Sequence, residues 1–295
     1  MYKNPKLVNE YLRKKESEDL SENTIKTYSH SLHMFFKYVS EHKFWESIED
    51  ISLENMEDIT LDDCKEFLST CNSTGDKNKK IGAIRRFYDY LQEEGYIQEN
   101  IMKKIKMNNR RKRLPVYLKE NEAKRLTKAS RTGKHKERNY CIMVFLLNIG
   151  LRLFELQNLK LCDIEGRYLR IIGKGDKERR VYINSTSKEA LNEYLKVRPD
   201  CNTEAIFISN RNKKISRQSI QVIVKNSLKK ARLDTKKYSV HSLRSTCGTL
   251  MREKGAEISD IQEQFGHSDV RTTLNYYAHT TDQKRKHVAN LIDIG

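Results

Sequence analysis

Six positions of this 295-residue chain carry side chains that together could act on a phosphodiester. Arginine offers a planar fork that matches two non-bridging phosphate oxygens. Histidine and lysine can move protons near neutral pH, and a tyrosine oxygen can attack phosphorus covalently. The positions are Arg152, Lys174, His241, Arg244, His267 and one tyrosine, either Tyr276 or Tyr277.

The local sequence around these residues suggests how they are held. His241 and Arg244 are three residues apart at the start of a predicted helix, so their side chains face the same way. Arg152 follows a glycine that ends one helix, and it begins the next. Lys174 lies at the tip of a predicted hairpin, where folding does not require a lysine. Taken singly, each could instead be a surface residue, and Arg152 could simply be ion-paired with Glu155.

Four segments occur together in one order along the chain. They read GLRLFEL from Gly150, GKGDKERRVYI from Gly173, HSLRSTCGTLM from His241 and QFGHSDVRTTLNYYAH from Gln264. Any one of them could arise by chance, but the ordered set resembles the tyrosine recombinase (phage integrase) family across nearly the whole chain. Two departures from the family pattern, Ser245 and Phe265, remove no catalytic group.

The resemblance implies a mechanism without metal or cofactor. A tyrosine would form a 3′-phosphotyrosyl link with DNA, while Arg152 and Arg244 offset charge on the non-bridging oxygens. Lys174 would be the general acid that protonates the leaving 5′ oxygen. His241 would accept a proton or bind an oxygen, and His267 would donate a hydrogen bond to the phosphate.

The nucleophile is either of two adjacent tyrosines. Tyr276 is nine residues after His267, and Tyr277 is ten residues after it. Successive helical residues point about 100° apart, so only one of them can occupy the attacking position. The Tyr-x-His ending through His279 favours Tyr277, and Tyr276 remains the alternative.

Charge is distributed unevenly between two predicted domains. Residues 1–107 hold 17 Lys and Arg against 20 Asp and Glu, whereas the rest of the chain holds 40 against 20. The cationic excess of the second part suits duplex DNA, although a solvated basic surface would have the same composition. Seven of the eleven residues in 103–113 are Lys or Arg, and the apolar periodicity stops there.

The domain organisation follows from that break. We predict a helical core-binding domain over 1–107, a basic linker over 108–113 and a catalytic domain over 114–295. The resemblance implies that the two domains clamp DNA, and that the linker contacts phosphates rather than acting as a plain solvated connection. The linker cations are Arg110, Arg111, Lys112 and Arg113.

The apolar periodicity and low Pro and Gly content predict a mainly α protein with a small antiparallel β-sheet, an α+β fold. Thr60 with Asp63 predicts a helix start, Ser73–Asp76 predicts a break, and Trp45 is a candidate core residue. Strands are expected over 168–172 and 180–183. In the second domain, helices are expected over 120–129, 138–148, 187–196, 216–231, 242–254, 258–264 and 270–279.

Cysteine content and hydropathy indicate a cytoplasmic protein without a membrane role. Six cysteines lack ligand spacing and predict reduced thiols, with Cys141 and Cys162 in the core. The N-terminus lacks an apolar signal segment, and the longest strongly apolar run, 141–147, is too short to span a bilayer.

The segment after the tyrosines suggests an assembly. Residues 282–294 predict a short amphipathic helix with Val288, Leu291 and Ile292 on one stripe. This helix could dock on its own domain, but the resemblance favours exchange into a neighbour, giving a homotetramer on paired half-sites of double-stranded DNA. A type IB topoisomerase-like enzyme and a non-catalytic DNA-binding architectural protein are the alternatives. Whether the reaction serves integration and excision of a mobile element or Xer-like resolution stays open.

Overall fold

A computed structural model of the chain describes residues 4–108, 115–173 and 178–266. The chain divides into two compact units, Met1–Lys112 and Arg113–Gly295. Each unit has its own hydrophobic core. The predicted boundaries of the linker stay predictions, because most of its residues lie outside the described ranges.

The described part of the first unit consists of helices joined by turns and loops, without a strand. Its central helices contribute phenylalanines that pack edge to face, such as Phe35 against Phe67 at 5.3 Å and Phe36 against Phe87 at 5.7 Å between ring centroids. Trp45 packs against this core, as predicted. The helices are α1 (Lys6–Ser17), α2 (Glu22–His42), α3 (Leu53–Glu57), α4 (Leu61–Ser69) and α5 (Thr74–Glu93), followed by a 3₁₀ turn, Ile101–Lys104.

Side-chain caps set two of these helix starts. The side chain of Thr60 accepts a hydrogen bond from the backbone of Asp63, whose carboxylate accepts from the backbone of Thr60 at 2.7 Å, so the predicted start of α4 is confirmed. The break predicted at Ser73–Asp76 is present but lies earlier, over residues 70–73, because α4 ends at Ser69 and α5 begins at Thr74. Ser73 caps α5 by accepting from the backbone N–H of Asp76 at 3.2 Å, and the helix begins at Thr74. Ser73 therefore belongs to the break, and the residues from Thr74 to Asp76 form the first turn of α5.

The second unit combines helices with one small sheet. Its helices are α6 (Glu120–Ser130), α7 (Lys136–Val144), α8 (Leu153–Asn158), α9 (Ser185–Val197), α10 (Arg217–Lys230), α11 (Val240–Glu253) and α12 (Ile258–Phe265). The strands are β1 (Ile164–Glu165), β2 (Tyr168–Ile172) and β3 (Glu178–Tyr182), which pair antiparallel in that order. The sheet buries Leu169, Ile171 and Val181 against the core, because alternate residues of a strand face opposite sides.

A buried turn links α7 to α8. The helix predicted over 138–148 is α7 followed by a π-helical turn, Phe145–Ile149, which ends at Gly150 with a φ of +72°. A Cβ at Gly150 would lie 2.4 Å from the Phe265 ring, so both the backbone angle and the packing require glycine there. This glycine fixes where Arg152 enters the site.

The predictions for the cysteines are confirmed in part and wrong in part. All six cysteines are free, and Cys141 is buried as predicted, but Cys162 is exposed. Cys162 belongs to a 3₁₀ turn, Leu161–Asp163, that leads into β1 at the surface, so its apolar neighbours do not place it in the core. Over the three described ranges, no helix is both long enough and apolar enough to cross a bilayer.

Candidate active site

The first arginine of the site is held at the start of α8. Arg152 is the N-cap residue, and its backbone N–H donates to Oε2 of Glu155 at 2.8 Å. Its Nη1 donates to Oε1 of the same carboxylate at 2.7 Å. The ion pair considered from the sequence is therefore present. Nη2 of Arg152 donates to the Gly266 carbonyl at 3.4 Å, and the side chain nevertheless stays 41% exposed, so part of the guanidinium is open to solvent.

The second arginine is buried beside the first. Arg244 lies in the second turn of α11, where Nη1 donates to the Gly150 carbonyl and Nη2 to the Phe265 carbonyl, at 2.5 and 2.8 Å. Its guanidinium carbon is 4.1 Å from the centroid of the Phe265 ring, a cation–π contact. Nη1 of Arg152 donates to the same Phe265 carbonyl at 3.1 Å. The structure thus brings Arg152 and Arg244 together.

A buried carboxylate joins this arginine cluster. The Glu155 side chain is only 1% exposed, and it contacts Arg152, Arg179 and, at 3.8 Å, Arg244. Burial alone would raise the pKa of Glu155, but the hydrogen bonds and charge of Arg179, with those of Arg152, lower the pKa to about 2. Glu155 is therefore ionised at neutral pH, and three cations around one anion leave a net positive site.

Arg179 was not among the residues that we predicted for the site. It lies on β3, where Glu178 and Tyr182 are exposed, whereas Arg179 faces inward. Its Nη1 and Nη2 donate to Oε1 and Oε2 of Glu155 at 2.8 and 2.9 Å, and its Nε donates to the Gln264 carbonyl at 3.2 Å. The available sequence signal was an arginine two residues before the apolar Val181, but the strand predicted over 180–183 began too late to include it, whereas β3 begins at Glu178.

His241 lies in the first turn of α11 at the exposed edge of the site. Partial desolvation lowers the pKa of His241, and the positive charges of Arg244 and Arg152 lower it further. The imidazole is consequently neutral at neutral pH and can accept a proton. The predicted placement of His241 and Arg244 on one helix start is confirmed.

The remaining predicted residues lie outside the described ranges. They are Lys174, His267, Tyr276, Tyr277 and the linker cations Arg110, Arg111, Lys112 and Arg113. The neighbouring described segments are the ends of β2 and β3 and the turn at Gly266, where φ is +58°. In the part of the chain that the structure describes, no cluster of three or more His, Cys, Asp or Glu side chains could hold a metal ion.

Comparison with known proteins agrees with this arrangement. Residues 116–284 match the Phage integrase family, and residues 8–95 match the family described as Phage integrase, N-terminal SAM-like domain. Tyrosine recombinase XerC of Caldanaerobacter subterraneus is 36% identical over 289 residues, which cover 92% of this chain and 81% of that protein. The chain therefore belongs to the phage integrase family, and it is a tyrosine-type site-specific recombinase.

Solved structures share the fold. XerH site-specific recombinase, in a post-cleavage complex with a palindromic difH substrate, superposes with a TM-score of 0.76 at 22% identity, covering 94% of this chain and 82% of that one. A lambda integrase tetramer bound to a Holliday junction gives a TM-score of 0.71 at 16% identity, covering 89% and 76%. At these identities the likeness defines the fold.

Proposed function

We propose that this recombinase cuts and rejoins duplex DNA with the six residues that its sequence singles out, Arg152, Lys174, His241, Arg244, His267 and Tyr277. The observation that carries the proposal is the shared anchoring of Arg152 and Arg244 on the Phe265 carbonyl. Two guanidinium groups that are held on one acceptor can bind the same phosphate, and their positions do not need to change during the reaction.

The bond changes follow from these roles. The Tyr277 oxygen attacks the scissile phosphorus and gives up its proton to His241, which is neutral at neutral pH. The bond from phosphorus to the 5′ oxygen breaks, and Lys174 protonates the leaving oxygen. Arg152 and Arg244 balance charge on the non-bridging oxygens, with a hydrogen bond from His267. A 5′-hydroxyl from another strand reverses the step, so the covalent link conserves the bond energy.

DNA binding would use both domains. The net positive charge of the chain after residue 107 supports a phosphate-contacting second domain, and the linker cations Arg110, Arg111, Lys112 and Arg113 would lie along the backbone. The domain over 1–107 and the domain over 114–295 would then clamp the duplex. The similar XerH structure contains a difH substrate, which is consistent with this mode.

The working assembly would be a homotetramer on paired half-sites. Residues 282–294 would pass to a neighbouring protomer, and a Holliday junction would form between the two exchange steps. The similar lambda integrase structure is a tetramer on such a junction. The reaction would take place on DNA in the cytoplasm, in integration and excision of a mobile element or in Xer-like resolution.

A suicide substrate tests the proposal. Duplex DNA carrying the recombination site, with a nick beside the cleavage position, loses a short fragment after attack, so the protein stays covalently attached. We expect a protease-sensitive, denaturant-resistant complex at that site alone. Relaxation of a supercoiled plasmid that lacks the site would favour topoisomerase-like activity, and binding without covalent capture would favour an architectural protein.

A further inference from the structure

The arginine that the sequence analysis missed binds the buried carboxylate more completely than Arg152 does. Two nitrogens of Arg179 each contact one oxygen of Glu155, at 2.8 and 2.9 Å. The side chain of Arg152 reaches only Oε1, through Nη1 at 2.7 Å. The Arg179 side chain is 12% exposed, against 41% for Arg152. Arg179 is thus the buried partner that neutralises Glu155, and Arg152 is the more exposed partner.

Arg179 also packs against the end of α12, next to the site. Its Nε donates to the Gln264 carbonyl at 3.2 Å, and a Cβ at Gly266 would lie 2.9 Å from the Cδ of Arg179. The same guanidinium therefore contacts both the carboxylate and the turn that ends α12. With three of its donors engaged and its stem packed under that turn, Arg179 has little room to approach a phosphate itself.

An ionised carboxylate in this position competes with phosphate for arginine. Carboxylate and phosphate both accept paired hydrogen bonds from one guanidinium, and a buried charge that loses a partner recruits another. If Glu155 lost Arg179, the remaining arginine with an exposed edge is Arg152. A two-point pair between Glu155 and Arg152 would draw Nη2 of Arg152 from the Gly266 carbonyl, where it donates at 3.4 Å, towards the carboxylate and away from any substrate.

We propose that Arg179 is a positioning residue for strand cleavage: by occupying both oxygens of Glu155, it keeps the exposed part of the Arg152 guanidinium available for the scissile phosphate. This inference rests on the proposed function, in which Arg152 binds that phosphate. Arg179 acts through Arg152 and touches no reacting atom.

Two substitutions of Arg179 distinguish the role of its planar guanidinium from the role of its positive charge. Arg179→Met removes the partner of Glu155, and Arg179→Lys keeps a positive charge that lacks the planar fork. We expect both to slow covalent capture of the suicide substrate, on the order of 10²-fold for Arg179→Met, because small misplacement of a binding group is costly. Binding to the intact site should hardly change. Near-normal cleavage by Arg179→Lys would overturn the proposal, since a merely structural charge partner tolerates that change.

Double variants test whether the effect passes through Arg152. Arg152→Ala combined with Arg179→Met should cleave no more slowly than Arg152→Ala alone, because the group that Arg179 positions is already gone. Glu155→Gln combined with Arg179→Met should recover at least about tenfold over Arg179→Met, since the competing charge is removed. Fully additive losses in both pairs would show that Arg179 only supports the fold.

The controls keep this test separate from the proposed function. Arg180→Met alters the next residue of β3, which pairs with Glu165 at 2.9 Å and stacks on Tyr168, and should cleave like the unmodified protein. Thermal unfolding of every variant identifies loss of fold. If the unmodified protein captures no DNA, the proposed function fails. If it captures DNA and the Arg179 variants do so equally well, only this inference fails.

Discussion

Arg152 and Arg244 donate hydrogen bonds to one acceptor, the carbonyl oxygen of Phe265, at 3.1 and 2.8 Å. The two arginines come from different helices, and this single backbone atom sets the distance between them. Phe265 also supplies the ring beneath Arg244 and fills the space opposite Gly150. Phe265, one of the two residues that depart from the family pattern, therefore contacts both arginines and Gly150 in the site.

Replacing either arginine should affect chemistry more than binding. Arg152→Ala and Arg244→Ala each remove a positioned charge, and losses of this kind slow a reaction on the order of 10²- to 10³-fold. Gel-shift affinity for the site should stay within a few-fold, while suicide-substrate cleavage is measured by covalent capture. Arg252→Ala, two turns further along α11, is the matched control. A parallel fall in affinity and cleavage would mean that the arginines serve binding only.

Lys174 can be tested through the leaving group. Lys174→Ala should cleave normal DNA far more slowly, because the departing 5′ oxygen then lacks its proton donor. In a substrate with sulfur in place of that oxygen, the leaving thiolate needs no proton. Cleavage of this substrate by Lys174→Ala should therefore return close to the rate of the unmodified protein. The same substrate should not restore Arg244→Ala. Rescue of Arg244→Ala and not of Lys174→Ala would reverse the role that we assign to the lysine.

The sequence predicted some parts of this site and fold correctly and missed others. The helix-ending Gly150 located the start of α8 and the apolar periodicity located α11, because those signals are local, and the order of the four segments gave the family. Arg179 escaped notice, since its partner Glu155 is distant in sequence and only the strand register turns it inward. Cys162 was misplaced for the converse reason: its apolar neighbours do not determine on which side of a surface turn it lies.

Gly150 should tolerate a side chain poorly, because it combines a left-handed backbone with close packing against Phe265. Gly150→Ala would incur about 1–2 kcal/mol for the left-handed backbone and about 1–3 kcal/mol more for the clash with Phe265. Gly166→Ala has a similar φ of +65° with nothing within 4 Å, so it carries only the backbone cost and serves as the control. Equal losses in the free energy of unfolding, measured in denaturant, would show that the packing against Phe265 does not matter.

Binding to duplex DNA should weaken steeply with salt if the basic excess contacts phosphates. Changing Arg110, Arg111, Lys112 and Arg113 to glutamine should reduce the log–log salt slope by about 3 to 4, since each phosphate contact contributes about 0.9. Affinity should fall alike for the specific site and for random sequence. Lys26 and Lys65, which pair with carboxylates on the first unit, are the control substitutions. An unchanged slope would remove the linker from the DNA interface.

The sequence leaves two candidates for the nucleophile, Tyr276 and Tyr277, and we predict that Tyr277 attacks. Tyr277 fits the Tyr-x-His ending through His279, whereas Tyr276 fits only the shorter spacing from His267. A change from Tyr to Phe removes one oxygen and keeps the ring, so folding and DNA binding should survive in both variants. We expect Tyr277→Phe to form no covalent complex with the nicked substrate and Tyr276→Phe to form it normally.

Peptide mapping decides the same question without mutation. After capture, digestion and mass spectrometry should locate the nucleotide adduct on Tyr277, the tyrosine with the Tyr-x-His spacing to His279. An adduct on Tyr276 would correct the nucleophile and leave the recombinase mechanism intact. Loss of capture in both Phe variants, with the adduct on Tyr277, would show that the Tyr276 hydroxyl supports the attack. An adduct on neither tyrosine would contradict the phosphotyrosyl mechanism itself.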